Sequence, residues 1–308
     1  MPLFTGPSSS ATRIILTVTL VHLVIGVFVH GHWLATGDQH ALRMYFDYEG
    51  AIVFLFLSVA QLLFASLAYK EFSAAQPLGS AWFYIVAASL CALIGTILTK
   101  LLTVDSAINP INYVVSGSTQ SLRSLLGSIG TVLGGPVYLI LLGTGLYFAI
   151  RVYRQLGLTA KPKPVDFLLV GGALLYTLVV IIGVVRTIKS HPEGVTAEHA
   201  LTWPGDYLLS LLLLEAIVLR RAAVEMGNGF VSKVWSAFVF GIFLTSFCSL
   251  INWVTAYGFI PWTYTSFVWY LWYPASAAFA LAPAIQWEAT RTARLRLSKR
   301  IEELELPA

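Results

Sequence analysis

Three polar side chains, His22, Gln61 and Glu215, lie in the middle of long apolar stretches and are the first candidates for chemistry. A polar or ionisable group costs free energy in lipid, so each is a candidate functional residue. If those stretches cross a membrane, the three groups lie at one depth, with Ser89 and Tyr176 at similar height. Two interpretations are open: a pocket that couples protons or binds a small polar ligand, and interhelical hydrogen bonds that only order the packing.

Histidines form a second group, because five of the six fall at or beyond the same ends of the apolar stretches. Imidazole beside a carboxylate binds Zn²⁺ or Cu²⁺, or senses acid pH. The candidate metal ligands are His30, His32, His191 and His199, and a haem near the outer surface would use the same side chains. The H-x-H spacing of His30 and His32 suits a strand better than a helix. The alternative is a set of surface histidines that share no ligand.

Two cations, Lys100 and Arg186, close apolar stretches on that same side. They would attract the anionic headgroup of a ligand, or they would extend towards lipid phosphates. Motifs of soluble enzymes are missing from the sequence, which contains no GxSxG, HExxH or Walker loop. We therefore expect no enzymatic activity, and nothing in the sequence requires a cofactor.

The composition places these residues in a membrane protein. Of the 308 residues, 57% are hydrophobic and only 11% are charged, whereas a soluble domain usually has about 25% charged residues. This excludes an ordinary cytosolic enzyme, a disordered chain and a nucleic-acid-binding module, and it makes the lipid bilayer the first expected partner. Cys91 and Cys248 each lie in an apolar run, so no disulfide framework is expected.

Eight apolar stretches are long enough to cross a hydrocarbon core about 30 Å thick as α-helices. The predicted fold is an all-α integral membrane protein, with one domain of eight transmembrane helices over residues 1–290 and a short helical tail at residues 291–308. The predicted spans are Ile14–Leu34, Gly50–Tyr69, Ala81–Thr103, Ser128–Ile150, Phe167–Val185, Tyr207–Ala223, Val234–Tyr257 and Thr265–Trp287.

The charges between these spans predict the orientation. With the N-terminus in the cytoplasm, only five of the 19 Lys and Arg residues lie outside, and the other 14 lie inside. This distribution satisfies the positive-inside rule. Both termini are therefore predicted to be cytoplasmic, in a multi-pass protein of a bacterial inner membrane. The five outer cations are Arg43, Lys100, Arg123, Arg186 and Lys189.

The connections between the spans are short apart from two outer ones, Val104–Gly127 and Arg186–Asp206. Neither is long enough for a folded extracellular domain, so a ligand site is expected within the bundle or at its outer mouth. Inside the bundle, Gly134-Gly135, Gly143 with Gly145, and Gly171-Gly172 are predicted to lie at close helix contacts.

The last predicted span has three distinctive features. Pro274 and Pro283 are predicted to kink it. The stretch that follows, residues 291–306, is basic and then acidic, with apolar residues at helical spacing. This tail either anchors the chain at anionic headgroups or forms a short coiled-coil stub that passes a conformational signal to a partner. Rings at the outer end are predicted to form an interfacial aromatic belt: Trp262, Trp269, Tyr270, Trp272 and Tyr273.

The last third of the chain carries a spaced pattern of polar and aromatic residues. Trp203-Pro204-Gly205-Asp206 leads into a Leu-rich helix ending Leu219-Arg220-Arg221, and Asn252-Trp253 precedes a final helix that opens Trp269-Tyr270-Leu271-Trp272. Over residues 203–288 this pattern resembles the polytopic membrane-sensor regions that precede diguanylate cyclase or histidine kinase domains in bacteria. Those proteins continue into a cytosolic output domain, whereas this sequence ends at Ala308. The resemblance implies a sensor or scaffold module that acts through a separate partner, and it carries over no catalytic residue.

The expected function is therefore sensing, or signal transfer from the bundle to a protein partner at the cytoplasmic face. The alternative from another class is an integral subunit of a respiratory, photosynthetic or transport complex, with haem or a divalent metal at the outer face. No convincing inverted repeat relates residues 1–150 to residues 151–308, which argues against a secondary transporter built on one.

Overall fold

The computed structural model describes residues 10–72, 77–101, 122–158, 164–190, 197–225, 227, 229–256, 260–261 and 266–305. These residues form eight helices, and there is no strand among them. Three helices contain a π-helical stretch between or after their α-helical parts. The helices are α1 (Ser10–Thr36), α2 (Gln39–Arg43, Met44–Glu49 and Gly50–Lys70), α3 (Pro77–Thr96 and Ile97–Leu101), α4 (Leu122–Val132, Leu133–Val137 and Tyr138–Gln155), α5 (Pro164–Ser190), α6 (Ala197–Glu225), α7 (Phe230–Ala256) and α8 (Val268–Glu305).

Six helices of the described chain are long and apolar enough to cross a membrane, namely α1 to α5 and α7. This confirms an all-helical protein with several membrane-type helices. The eight predicted spans fall within or close to the eight helices, but α6 and α8 are not among the six. Eight spans and cytoplasmic termini therefore stay predictions.

Six helices form a closed ring. Around the ring the neighbours are α2, α3, α4, α6, α7 and α8, and α8 packs back against α2. The other two helices lie outside it: α1 packs on α8 and α2, and α5 packs on α6 and α7. Both outer helices expose large apolar side chains on their free faces, including Phe28 and Leu168. Such faces suit contact with lipid.

The two ends of the ring differ in packing. We call the end where α2, α4, α6 and α8 begin the cavity end, and the other the tail end. At the tail end large rings fill the interior: Trp82, Trp235 and Phe238 are fully buried, and the Trp235 indole N–H donates to the Tyr153 hydroxyl at 2.6 Å. The core at this end is continuous across α3, α4, α6 and α7. Burial of these rings is the main stabilising contribution in this half of the ring.

Some glycines lie at close helix crossings, but not all of the glycines predicted to do so are found there. A Cβ atom at Gly95 of α3 would lie 2.7 Å from the Gly134 Cα of α4, and one at Gly145 would lie 2.9 Å from a backbone oxygen of α3. A Cβ atom at Gly143 would touch Leu212 and Glu215 of α6. For Gly171 and Gly172 the prediction is wrong, because a Cβ atom at either would meet nothing within 4 Å. Gly135 is equally open, and it faces a cavity.

Candidate functional site

The cavity end of the ring encloses a space of about 550 Å³. All six ring helices contribute to its wall, whereas the described parts of α1 and α5 contribute no residue. Its lining residues come from the cavity-end halves of their helices, except that on α2 they reach Gln61, and the packed rings of the tail end lie beyond the cavity. A cavity of this size lies within the usual range for small-ligand sites, roughly 300–1,000 Å³.

The three π-helical stretches all lie at this cavity. Phe46 belongs to the stretch in α2, Thr99 and Lys100 to the one in α3, and Gly134 and Gly135 to the one in α4, and all of them line the wall. A π-helical turn adds a residue to a helix and re-aims the side chains beside it, and such turns are frequent at functional sites. The three π-helical stretches lie on three neighbouring helices at the same cavity, which makes this cavity the candidate functional site.

Seven aromatic rings among the described residues line the cavity. Here the prediction of an interfacial belt is wrong for three of its members, because Trp269, Trp272 and Tyr273 line the cavity inside the ring. Tyr270 lies instead against α1, where its hydroxyl is 3.0 Å from the His30 Nδ1. Trp262 lies outside the described residues. The rings lining the cavity are Phe46, Phe54, Tyr138, Trp269, Trp272, Tyr273 and Phe279.

Three buried polar atoms of the wall find no hydrogen-bond partner among the described residues. They are the Gln61 amide nitrogen, the Tyr138 hydroxyl and the Trp272 indole nitrogen. Gln61 and Tyr138 lie close enough to interact with each other, but not in hydrogen-bond geometry. Gln61 is only 5% exposed and Tyr138 only 8%. Most buried polar groups in proteins are satisfied, so three orphaned groups in one cavity wall indicate that something else fills their hydrogen bonds.

Two charged side chains belong to the same wall. The Lys100 ammonium lies 5.4 Å from the centre of the Phe54 ring and within electrostatic range of Asp47. Asp206 Oδ1 accepts from the Ser249 hydroxyl at 2.9 Å and from the Tyr176 hydroxyl at 3.1 Å. Tyr176 and Ser249 are themselves 2.9 Å apart, so α5, α6 and α7 meet in a closed triangle of oxygens. The sequence placed Asp206 in a loop, but it lies within α6.

The structure does not bring the predicted midplane set together. Gln61 lines the cavity, whereas His22 lies on α1 outside the ring, stacked on Tyr45 with ring centres 4.3 Å apart and edge-on to Tyr273. Glu215 lies on α6 beside Gly143 of α4 and is not part of the cavity wall. The His22 Nε2 and the Glu215 Oε2 are also buried without a partner among the described residues.

The two accessory residues of that set have structural partners. Ser89 is fully buried and donates to the Ile85 carbonyl one turn earlier. Tyr176 reaches the cavity wall indirectly through Asp206.

The predicted metal ligands do not form a visible site. His30 bonds to Tyr270, and His32 lies 3.5 Å from Asp38 on the exposed surface. The backbone N–H of His40, together with His32, lowers the pKa of the Asp38 carboxyl. His191 and the side chain of His199 lie outside the described residues, and within the described part no group of three or more His, Cys, Asp and Glu residues could hold a metal.

The predicted pair of cations is also separated. Lys100 lies in the cavity wall, whereas Arg186 is exposed on α5, which lies outside the ring. A different cation pairs inside the protein: the Arg221 guanidinium at the end of α6 donates to Asp166 at the start of α5, and both side chains are buried. The distribution of charges between the two sides of the membrane predicts where such residues lie, but it does not predict which of them form ion pairs.

Comparison with protein-family models, with curated proteins and with solved structures found no match for the chain.

Proposed function

We propose that the chain is a non-enzymatic, multi-pass receptor of a bacterial inner membrane, which binds a small ligand in the cavity and signals to a separate cytoplasmic partner. The observation that carries this proposal is the course of α8. Its first turns form part of the cavity wall, and the same helix runs on to an exposed tail.

The cavity face of α8 is regular. Trp269, Trp272, Tyr273 and Ser276 line the cavity, and their spacing of three and four residues puts them on one face of the helix. A ligand that pushes on this face pushes on one continuous helix, which runs through Pro274 and Pro283. Helices in such bundles respond to ligands by shifts of about 1–2 Å.

The far part of α8 is placed to report that movement. Residues 291–298 are all exposed, and the tail touches two other elements of the tail end. Arg294 pairs with Glu71 at the end of α2, and Thr12 of α1 donates to Glu288 at 3.0 Å. A shift of α8 would change these contacts and the position of the tail together.

The packing of the tail end favours a receptor over an open pathway. Trp82, Trp235 and Phe238 close the interior directly beyond the cavity. A blind cavity binds a ligand without conducting it through the bundle. This argument supports sensing over transport, and it agrees with the resemblance of residues 203–288 to membrane-sensor regions.

The orientation that this function needs is testable on its own. Reporter fusions after Gln155 and after Gly227 are expected to read cytoplasmic, and a fusion after Pro192 periplasmic, because the positive-inside rule puts the tail end in the cytoplasm. Paired alkaline phosphatase and fluorescent protein fusions at each point measure the side. A cytoplasmic result at Pro192 would contradict eight spans and would turn the cavity end towards another compartment.

The coupling between cavity and tail is tested by filling the cavity. Ser276→Phe and Ala92→Phe place a new ring in the cavity from α8 and from α3 respectively, and both are expected to displace α8. Spin labels at Ser298 in the tail and at Glu225 at the end of α6, in a background lacking Cys91 and Cys248, report the distance. We expect the mean distance to shift by about 1–2 Å or more in both variants.

Two controls make that measurement specific. Leu174→Phe adds a similar ring on the lipid-facing side of α5, where Leu174 is 63% exposed, and Ser276→Ala removes a hydroxyl without filling space. Neither is expected to move the tail. An unchanged distance in both filled variants, with folding verified by size-exclusion chromatography and thermal unfolding, would contradict the proposed coupling.

A further inference from the structure

We infer that the ligand of this cavity is a neutral ring compound with carbonyl oxygens, of the quinone class. This inference rests on the proposed receptor function and specifies the chemistry of its ligand. It is carried by the three orphaned polar groups, the two charged side chains and the rings of the cavity wall.

The orphaned groups require acceptor atoms from the ligand. The amide nitrogen of Gln61 and the indole nitrogen of Trp272 can only donate, and the Tyr138 hydroxyl donates once. All three atoms are buried, and none has a partner in hydrogen-bond geometry among the described residues, although Gln61 and Tyr138 lie near each other. A ligand that satisfies them therefore presents oxygen or nitrogen lone pairs at more than one point, as a compound with several carbonyls does.

The charges of the wall disfavour an anionic ligand. Lys100 already has the face of Phe54 and the nearby carboxylate of Asp47, so it does not offer an uncompensated positive charge. Asp206 lies in the same wall, and none of the described cations forms an ion pair with it. An anion would therefore meet no uncompensated cation in this wall, and it would lose its hydration in a medium of low polarity.

The same groups disfavour a cationic ligand. An ammonium or guanidinium group offers donors only, so it would leave the N–H groups of Gln61 and Trp272 without an acceptor. Asp206 Oδ1 already accepts from Ser249 and Tyr176. Lys100 would in addition repel a second cation. A neutral acceptor meets none of these penalties.

The shape of the wall suits a flat ring. Phe46, Phe54, Trp269 and Phe279 line the cavity, and aromatic faces favour offset stacking with another ring. The volume of about 550 Å³ accommodates a substituted ring with part of an alkyl chain. A hydrophobic ligand of this kind is also available from the bilayer. The exposed apolar faces of α1 and α5 suit contact with that bilayer.

The ligand class is tested with four probes that share a decyl chain. Decylubiquinone is the neutral carbonyl compound, decanoate the anion, decylammonium the cation, and decylbenzene the ring without carbonyls. The full chain in lipid nanodiscs is equilibrated with each probe and separated by size exclusion, and the retained probe is quantified after subtraction of empty nanodiscs. We expect saturable retention of about one decylubiquinone per chain, and no saturable retention of the other three.

Single substitutions assign the binding to the orphaned groups. Tyr138→Phe and Trp272→Phe each remove one donor and keep a ring, and each is expected to weaken decylubiquinone retention about tenfold. If Tyr138 and Trp272 had only a structural role, the substitutions would lower the stability of the protein and leave decylubiquinone retention unchanged. We instead expect the unfolding temperature of the probe-free protein to stay the same or rise, because an unsatisfied group has been removed. Tyr147→Phe on the same helix, where Tyr147 is 54% exposed, is the matched control and should change neither quantity.

The outcomes separate this inference from the proposed function. Saturable retention of decanoate or of the ammonium probe, equal retention of decylbenzene, or no retention at all would each overturn the quinone class. If the tail still moves in Ser276→Phe and Ala92→Phe, the receptor function stands without it. If decylubiquinone is retained through Tyr138 and Trp272 but the tail never moves, the ligand class stands and the signalling function fails.

Discussion

Replacing Arg221 by Leu is expected to lower the free energy of unfolding by about 3–5 kcal/mol, because the change removes a buried guanidinium from a buried carboxylate. The guanidinium donates to Asp166 through both Nε and a terminal nitrogen. Arg221 is 8% exposed and Asp166 only 5%, so water cannot take over the role of the arginine. The pair joins the end of α6 to the start of α5 and thereby fixes the outer helix to the ring.

Two further variants control for the loss of a long side chain. Arg220→Leu removes the neighbouring arginine, for which no buried acid is found among the described residues, and should cost less than about 1 kcal/mol. Asp166→Leu combined with Arg221→Leu should recover most of the loss, because no uncompensated charge remains. Equilibrium unfolding in mixed micelles measures all three. A loss below about 1 kcal/mol in Arg221→Leu would show that Asp166 is neutral or solvated in the folded protein.

The helices could largely be predicted from the sequence, since apolar runs of about 20 residues leave few alternatives in lipid. The start of α6 is the instructive failure. Trp203-Pro204-Gly205-Asp206 has the composition of a turn, yet the helix begins at Ala197 and continues through Pro204. Packing provides the reason: Gly205 lies against Pro136 of α4, and Asp206 bonds to Ser249 and Tyr176. Contacts between distant helices outweigh the local preference there.

The site could be predicted only in part. The sequence indicates how deep a residue lies in its span, but it does not show in which direction the side chain faces. Gln61 and Lys100 were identified and do line the cavity. His22 was grouped with Gln61 by depth, but α1 lies outside the ring, so His22 packs between Tyr45 and Tyr273 instead. Trp272 was missed as a site residue, because rings near a span end are as typical of an interfacial belt as of a cavity wall. Tyr138, in the middle of the predicted span Ser128–Ile150, was missed because a single ring in an apolar run is typical of core packing.

The crossing of α3 and α4 should be nearly as sensitive as the buried ion pair. Gly95→Ala is expected to lower the free energy of unfolding by about 1–3 kcal/mol, since the added methyl group overlaps atoms that cannot rotate away. It would lie 2.7 Å from the Gly134 Cα, 2.8 Å from the Gly134 nitrogen and 2.9 Å from the Gly130 oxygen. All three are backbone atoms, so α3 and α4 must move apart to accept it.

That separation would also be felt in the cavity, because Lys100 follows Gly95 by little more than one turn on α3 and Tyr138 follows Gly134 by about one turn on α4. Gly95→Ala should therefore weaken decylubiquinone retention as well as stability. Gly171→Ala is the matched control, since its methyl group would meet nothing within 4 Å, and helix propensity should stabilise it by up to about 0.5–1 kcal/mol. Unfolding in mixed micelles and probe retention in nanodiscs measure the two effects. If Gly95→Ala were as stable as Gly171→Ala, α3 and α4 would not be in close contact at Gly95. The two helices would then be farther apart at the cavity than they are in the structure.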